Sequence, residues 1–100
     1  MLHEDFPGHI AVLTLELFLP ASRSLKAKRM ILKSLKDRLR NRFNVSVAEV
    51  DELDKWQKAV VVVCAVGSDK GHLDGSLQAV LAFAEAEREL QVVDSELGFI

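Results

Sequence analysis

The sequence predicts a small α+β fold whose elements follow one another in the order β-α-β-β-α-β. Two observations lead to this prediction: several segments alternate apolar and polar residues with the period of two of a strand, and two longer segments repeat their leucines with the period of a helix. The chain has 100 residues, of which 49% are apolar, with two prolines and five glycines. That composition is typical of a packed globule, and the length predicts a single domain, residues 1–100.

The first strand is predicted over residues 9–19, HIAVLTLELFL, because every second residue is a core-type apolar residue: Ala11, Leu13, Leu15 and Leu17. Pro20 ends the strand, since proline has no backbone N–H for the sheet ladder. Ser22 or Ser24 then offers a cap for a first helix that runs to about residue 43. Its apolar positions recur at helical spacing: Leu25, Leu32, Leu35, Leu39 and Phe43.

The rest of the chain continues the alternation. Residues 44–50 show the β-branched alternation of a second strand, and a polar turn separates them from a third strand at 57–66, whose unbroken apolar run is typical of a central strand. These two strands are expected to form a hairpin. A second helix is predicted near residues 70–89, and residues 91–100 form a last strand.

This order of elements is the split βαβ, or ferredoxin-like, arrangement, a four-stranded antiparallel sheet with both helices on one face. The opposite face is then free and carries Val12, Thr14, Glu16 and Phe18, together with alternate valines of the third strand. A face with so many apolar residues usually marks an interaction surface. We therefore expect a two-fold homodimer formed through the sheet face.

Several features predict a cytoplasmic location. The chain has one cysteine, Cys64, which allows no internal disulfide and is expected to be a small core residue. The start of the chain lacks the order of a secretory signal. The longest apolar runs, residues 10–19 and 59–66, are shorter than the roughly 20 residues that span a bilayer, so no membrane segment is expected.

Positive charge is concentrated in the first helix. Residues 22–43 contain nine of the 13 lysines and arginines and one acid, Asp37, which gives this segment a charge of +8 and the remainder −10. At about 100° per residue, five cations form one straight row beside the leucines, whereas Lys28, Arg38 and Arg42 are assigned to the other flank. The row, here called the basic stripe, consists of Lys26, Arg29, Lys33, Lys36 and Arg40.

Two interpretations of the basic stripe remain open. Long cationic side chains often do no more than cover the solvated side of a helix. A soluble helix, however, gains stability from pairs of opposite charge, and one acid does not supply them. A polyanion such as RNA, contacted through its backbone, fits five aligned cations. Base-specific recognition is not expected, because the third strand has no aromatic residue and the chain has no GxxG loop.

Three segments, LPASRSLKAKR, SLKDRLRNRFNVSVAEVDELDKWQKA and SDKGHLD, resemble the YlxP-like family of small bacterial proteins of unknown function. The resemblance covers nearly the whole chain and is most specific at residues 34–57. Ala27 stands where the family often has an acid. The resemblance implies the ferredoxin-like fold and a cytoplasmic bacterial protein in a translation or ribosome-maturation setting, and it implies no catalytic residue.

Smaller candidates each have a structural alternative. The acids Glu49, Asp51, Glu52 and Asp54 form either a polar hairpin loop or a site for a divalent cation, although their spacing is not that of an EF-hand. Trp56 is either a cap on the sheet edge or a stacking platform. His72 is either a polar residue at a helix end or an acid–base group, and His3 and His9 complete no metal site at a known spacing.

The sequence therefore predicts a non-catalytic protein that binds RNA or a ribonucleoprotein through the basic stripe, with no cofactor and no metal. One alternative is a protein-interaction adaptor that uses the apolar sheet face. A second is an acylphosphatase-like hydrolase that uses Arg23 and Asn44, although the segment LPASRSL lacks the glycines that let backbone N–H groups surround an anion.

Overall fold

The order of elements is the predicted one in the computed structural model of the protein, which describes residues 5–100. The strands are β1 (His9–Phe18), β2 (Ser46–Asp51), β3 (Lys58–Gly67) and β4 (Gln91–Phe99), and the helices are α1 (Leu25–Arg42) and α2 (Lys70–Glu85). The strands form one antiparallel sheet in the order β2-β3-β1-β4, with β2 and β3 as a hairpin. The predicted α+β class and βαββαβ topology are confirmed.

Helix α1 begins where the serines predicted it. The Ser24 side chain is the cap and accepts a hydrogen bond from the backbone N–H of Ala27 at 3.0 Å. The Ser22 hydroxyl lies beside it and donates to the Ser24 carbonyl at 3.2 Å. Both serines therefore take part in starting the helix, and one of them supplies the cap.

Two predicted element ends are wrong by a few residues. Strand β2 begins at Ser46, not at residue 44, because the chain first closes a turn in which the Val45 N–H donates to the Phe43 carbonyl at 3.0 Å. Helix α2 ends at Glu85, not near residue 89, since Leu90 turns inward and is 3% exposed. Burial of this leucine requires the chain to leave the helix direction before β4.

The core lies between the sheet and the two helices. The predicted alternation in β1 is confirmed, because Ala11, Leu13, Leu15 and Leu17 are all buried against the helices. The side chains that β3 and both helices contribute belong to the same cluster, so both helices cover one face of the sheet. These are Ala59, Val61, Val63 and Ala65 from β3, Leu32, Leu35 and Leu39 from α1, and Leu73, Leu77, Val80 and Ala84 from α2.

The opposite face of the sheet, here called the free face, divides into an apolar end and an acidic end, whose carboxylates lie beside the apolar residues Phe18, Val60 and Val93. The strand register places Val12 between Cys64 and Gly98 at the apolar end, where Val66 is 64% exposed. Toward the other end, the register pairs Glu16 with Asp94 and Thr14 with Glu96. Cys64 is half-buried on this face, so the expectation of a core cysteine is wrong: Val61, Val63 and Ala65 occupy the core side.

A candidate nucleic-acid interface on helix α1

Helix α1 packs against β2 at one edge of the sheet and leaves its outer flank in solvent. The basic stripe lies on that flank. Four of its side chains are exposed and that of Lys36 is half-buried. At 1.5 Å per residue, the stripe extends over about 20 Å from Lys26 to Arg40. The predicted alignment of the five residues along one side of the helix is consistent with this exposure.

One carboxylate serves two members of the stripe. Asp37 lies 2.8 Å from Lys33 Nζ, and its other oxygen is 3.7 Å from the Arg40 guanidinium. The hydrogen bond from Lys33, together with the positive charges of Lys33, Arg40 and Lys36, holds the pKa of Asp37 below its ordinary value. Among the residues that the structure describes, Lys26, Arg29 and Lys36 form no ion pair or hydrogen bond through their side chains. Three positive charges of the stripe are thus available to an external anion.

Arg40 also has a structural contact that the sequence did not indicate. Its guanidinium donates a 2.8 Å hydrogen bond to the main-chain carbonyl of Val47. Because β2 is an edge strand, this carbonyl has no strand partner on its outer side, and Arg40 satisfies it. Arg40 therefore contributes to the stability of the fold, whereas Arg29, in the same stripe, forms no such contact with a described residue.

Lys28 lies in the core-facing row of the helix, so its predicted position on the far flank is wrong. It is completely buried, and its Nζ lies 2.8 Å from Glu49 Oε2. The same nitrogen donates to the carbonyls of Glu52 at 2.8 Å and Lys58 at 3.1 Å. Three acceptors around one ammonium compensate its removal from water. We call this set of contacts the Lys28 clamp.

The signal that could have revealed the Lys28 clamp is the helical wheel itself. Lys28 falls at about 300° on a wheel that starts at Leu25, which is between Leu35 and Leu39. The prediction of an exposed side chain followed from the charge of lysine and not from its angle on the wheel. The two remaining cations, Arg38 and Arg42, do lie on the far flank, where they face α2: Arg38 pairs with Glu87, and both guanidinium groups lie over the Phe83 ring, at 5.7 and 5.5 Å from its centroid.

The acidic turn does not gather its carboxylates around one point. Glu49 is bound to Lys28, and Asp51 Oδ1 accepts the backbone N–H of Glu52 at 2.8 Å. Within residues 5–100, no three His, Cys, Asp or Glu side chains come together as a metal site would require. Trp56 lies at the end of this turn and is 56% exposed, so the interpretation as a buried cap on the sheet edge is wrong.

Comparison with known proteins gives the family. Residues 10–97 match the model of a family described as a protein of unknown function, DUF503. The chain belongs to the DUF503 family. It is also 40% identical over 68 residues to the uncharacterized protein YlxP of Bacillus subtilis (strain 168), a match that covers 68% of this chain and 74% of that protein.

The range matched to DUF503 includes all of α1, with its basic stripe, and the β2–β3 turn. The family relationship therefore extends over the candidate interface as well as the core. In the part of the chain that the structure describes, no helix is both long enough and apolar enough to cross a bilayer.

The residues considered for catalysis in this DUF503 protein do not converge. Arg23 precedes α1 and Asn44 follows it, so about 27 Å of helix separates them at 1.5 Å per residue. His72 is exposed in the first turn of α2, where its backbone N–H donates to the Asp69 cap at 3.0 Å. His9 packs edge-on against Phe99, and His3 lies outside the described residues.

Proposed function

We propose that this protein binds RNA, alone or in a ribonucleoprotein, through the basic stripe and without catalysing a reaction. The stripe contacts the phosphate backbone, so that shape and charge rather than base sequence govern affinity. The cytoplasmic setting in translation or ribosome maturation is implied by the family resemblance alone. The part of the proposal that rests on physical argument is the binding of an anion by the exposed flank of α1.

The observation that carries the proposal is that Lys26, Arg29 and Lys36 form no ion pair with any described residue. These three cations are placed on one helix flank with no described carboxylate within ion-pair distance. Three other cations of α1 do have a carboxylate partner: Lys28 pairs with Glu49, Lys33 with Asp37 and Arg38 with Glu87. A surface that keeps repelling charges in a row gains most from an external polyanion.

The first test is the salt dependence of RNA affinity. Three phosphate contacts predict a slope of log K against log salt of about −2 to −3, and five contacts about −3.5 to −4.5. The affinity of a labelled RNA hairpin is measured by fluorescence anisotropy over a range of salt concentrations. A slope near zero contradicts the proposal.

The second test compares two double variants with the same loss of charge. Arg29→Gln with Lys36→Gln removes two contacts and is expected to make the slope less steep by about 1.4 to 1.8. Lys70→Gln with Arg88→Gln removes one lysine and one arginine from the α2 side and serves as the control. Equal effects of both variants would mean that net charge, not the basic stripe, determines binding. Arg40 is left unchanged because it also holds Val47.

We also propose a two-fold homodimer through the free face, restricted to its apolar end. Carboxylates at Glu16, Asp94 and Glu96 oppose burial of the acidic end against a second copy. Val66, which is 64% exposed, is a large apolar residue of the remaining area, near the end of β3. Light scattering at tens of micromolar is expected to show a dimer that Val66→Asp converts to monomer; a monomeric parent protein contradicts this part of the proposal. If the partner is another protein instead, the adaptor alternative applies.

A further inference from the structure

The single tryptophan of the chain is presented to solvent on the loop between β2 and β3. The Trp56 side chain is 56% exposed, and Leu53 in the same loop is 57% exposed. An indole has a large apolar surface, and its burial would stabilise the fold. Its exposure in a chain with an otherwise well-formed aliphatic core makes it a candidate contact for a ligand.

The backbone on both sides of Trp56 is fixed by hydrogen bonds. The Lys28 clamp holds the carbonyls of Glu52 and Lys58, which bracket the loop. Next to the indole, the Gln57 side-chain amide donates to the carbonyls of Pro20 at 3.0 Å and Ser22 at 3.3 Å. The Gln57 carbonyl in turn accepts the Leu19 N–H at 2.8 Å. A platform that is already ordered loses less conformational entropy when a ligand binds.

The residues that these hydrogen bonds connect to the β2–β3 loop have cations as their neighbours in the chain. Arg23 directly follows Ser22, whose carbonyl Gln57 holds, and Lys26 and Arg29 flank Lys28 in the first turns of α1. All three are exposed, and none has an ion pair in residues 5–100. The loop itself adds two cations and three carboxylates: Lys55 and Lys58 with Asp51, Glu52 and Asp54. On the sheet side of the loop, Glu16 lines a pocket with Glu52 and Lys58, so the excess of positive charge lies on the α1 side.

We infer that Trp56 is a stacking platform for an unpaired base of RNA, whose adjoining phosphates lie on Arg23, Lys26 and Arg29. This inference rests on the proposed function and narrows its ligand to RNA with a single-stranded segment beside the basic stripe. Aromatic faces stack on any base, while cations follow the backbone, and proteins that bind single strands combine the two. An acidic protein segment would satisfy the cations but would need an aromatic residue at the matching position to stack on the indole, whereas every base of a single strand offers such a face.

The test uses tryptophan fluorescence, which reports on Trp56 alone because the chain has one tryptophan and no tyrosine. Three probes are titrated: a single-stranded decanucleotide of adenosine, a blunt ten-base-pair RNA duplex, and inorganic polyphosphate. All three are expected to bind through the cations. Quenching of the indole emission is expected with the single strand and not with the other two.

Variants separate the platform from the cations. Trp56→Leu is expected to weaken single-strand affinity about tenfold, as loss of one stacked base does, and to leave duplex affinity and the salt slope unchanged. Trp56→Phe is expected to restore most of the affinity. Leu53→Ala, at an equally exposed apolar position of the same loop, is the matched control and should change little. Thermal unfolding of each variant verifies that the fold is retained.

The outcomes distinguish the two proposals. Single-strand binding without quenching, and with full affinity in Trp56→Leu, overturns the platform and leaves the proposed function standing. Failure of both RNAs and of polyphosphate to bind overturns the proposed function as well. Binding of polyglutamate as tightly as single-stranded RNA, again without quenching by RNA, identifies an acidic protein as the partner and also overturns the inference.

Discussion

Lys26 and Lys28 are two residues apart in the same helix turn, and the fold uses them in opposite ways. Lys26 is exposed and has no partner in the described chain, whereas Lys28 is completely buried and holds one carboxylate and two main-chain carbonyls. The 3.6-residue period places one outside and the other inside. The comparison teaches that position around a helix, not the number of charges in it, decides which cations can bind a ligand.

The largest effect is expected from removing the buried charge. Lys28→Met leaves the Glu49 carboxylate, 13% exposed, without its cation and should lower the free energy of unfolding by about 3–5 kcal/mol. Urea denaturation at neutral pH measures it. Lys26→Met should stay within about 0.5 kcal/mol of the parent protein. If the two lysine variants lose equal stability, the division into an inner and an outer lysine is wrong.

A double variant sharpens this prediction. Lys28→Met with Glu49→Met replaces the ion pair by apolar groups and is expected to recover part of the lost stability, because no buried charge remains unpaired. The carbonyls of Glu52 and Lys58 still lose a donor, so recovery should be incomplete. Full additivity of the two single losses would show that Lys28 and Glu49 do not interact.

A smaller effect is expected at Arg40, which combines both uses of a cation. Arg40→Gln removes the donor to the Val47 carbonyl and should destabilise the fold by about 1 kcal/mol, since the guanidinium is partly exposed. Lys36→Gln, at a stripe position without such a contact, should cost less than about 0.5 kcal/mol. Thermal unfolding compares them. If the Arg40 variant is as stable as the Lys36 variant, the hydrogen bond from Arg40 to Val47 contributes no measurable stability.

A substitution in the β2–β3 turn, next to the Lys28 clamp, is expected to raise the stability of the fold. Glu52 has a φ of 61°, in the left-handed region that glycine adopts without a steric penalty. Because its carbonyl, not its side chain, accepts from Lys28, Glu52→Gly keeps the clamp. We expect a stability gain of about 0.5 kcal/mol after the entropy of glycine in the unfolded chain is included. Loss of stability would indicate that the Glu52 carboxylate contributes to the turn.

The smallest effect concerns the exposed pair of Asp37 and Lys33. The pKa of Asp37 is lowered in the folded protein, so the pair contributes stability above the pKa of the unfolded chain, and that contribution is lost as pH falls through the lower folded pKa. The melting temperature of the parent protein should therefore drop slightly more than that of Asp37→Asn on acidification below about pH 4. Identical acid profiles would assign no stabilising role to this pair.

The fold was largely predictable because its signals are local. The alternation in β1 identified its buried residues, Ser24 supplied the predicted cap, and the order of elements fixed the topology. The unbroken apolar run of β3 does not alternate with polar residues, so the sequence does not indicate which of its side chains face the helices. The prediction that Cys64 is a core residue is wrong for this reason. The end of α2 depends on burial of Leu90, which is a tertiary effect.

The site was less predictable because its residues take their roles from distant partners. The acid that binds Lys28 lies 21 positions later in the chain, and the carbonyl that holds Arg40 belongs to β2. Neither contact has a signature in the helix sequence. The loop position next to Trp56 is likewise held by distant residues, because the Gln57 amide donates to the carbonyls of Pro20 and Ser22 in the β1–α1 connection.

The Lys28 clamp also has a consequence for folding cooperativity. One ammonium joins the first turns of α1 to both ends of the β2–β3 loop, so docking of the helix and closure of the hairpin share the same contacts. Opening of the hairpin would expose a buried charge and should therefore require release of the helix as well. In native-state hydrogen exchange, amides of α1 and of the β2–β3 hairpin are expected to open as one unit, with a common free energy.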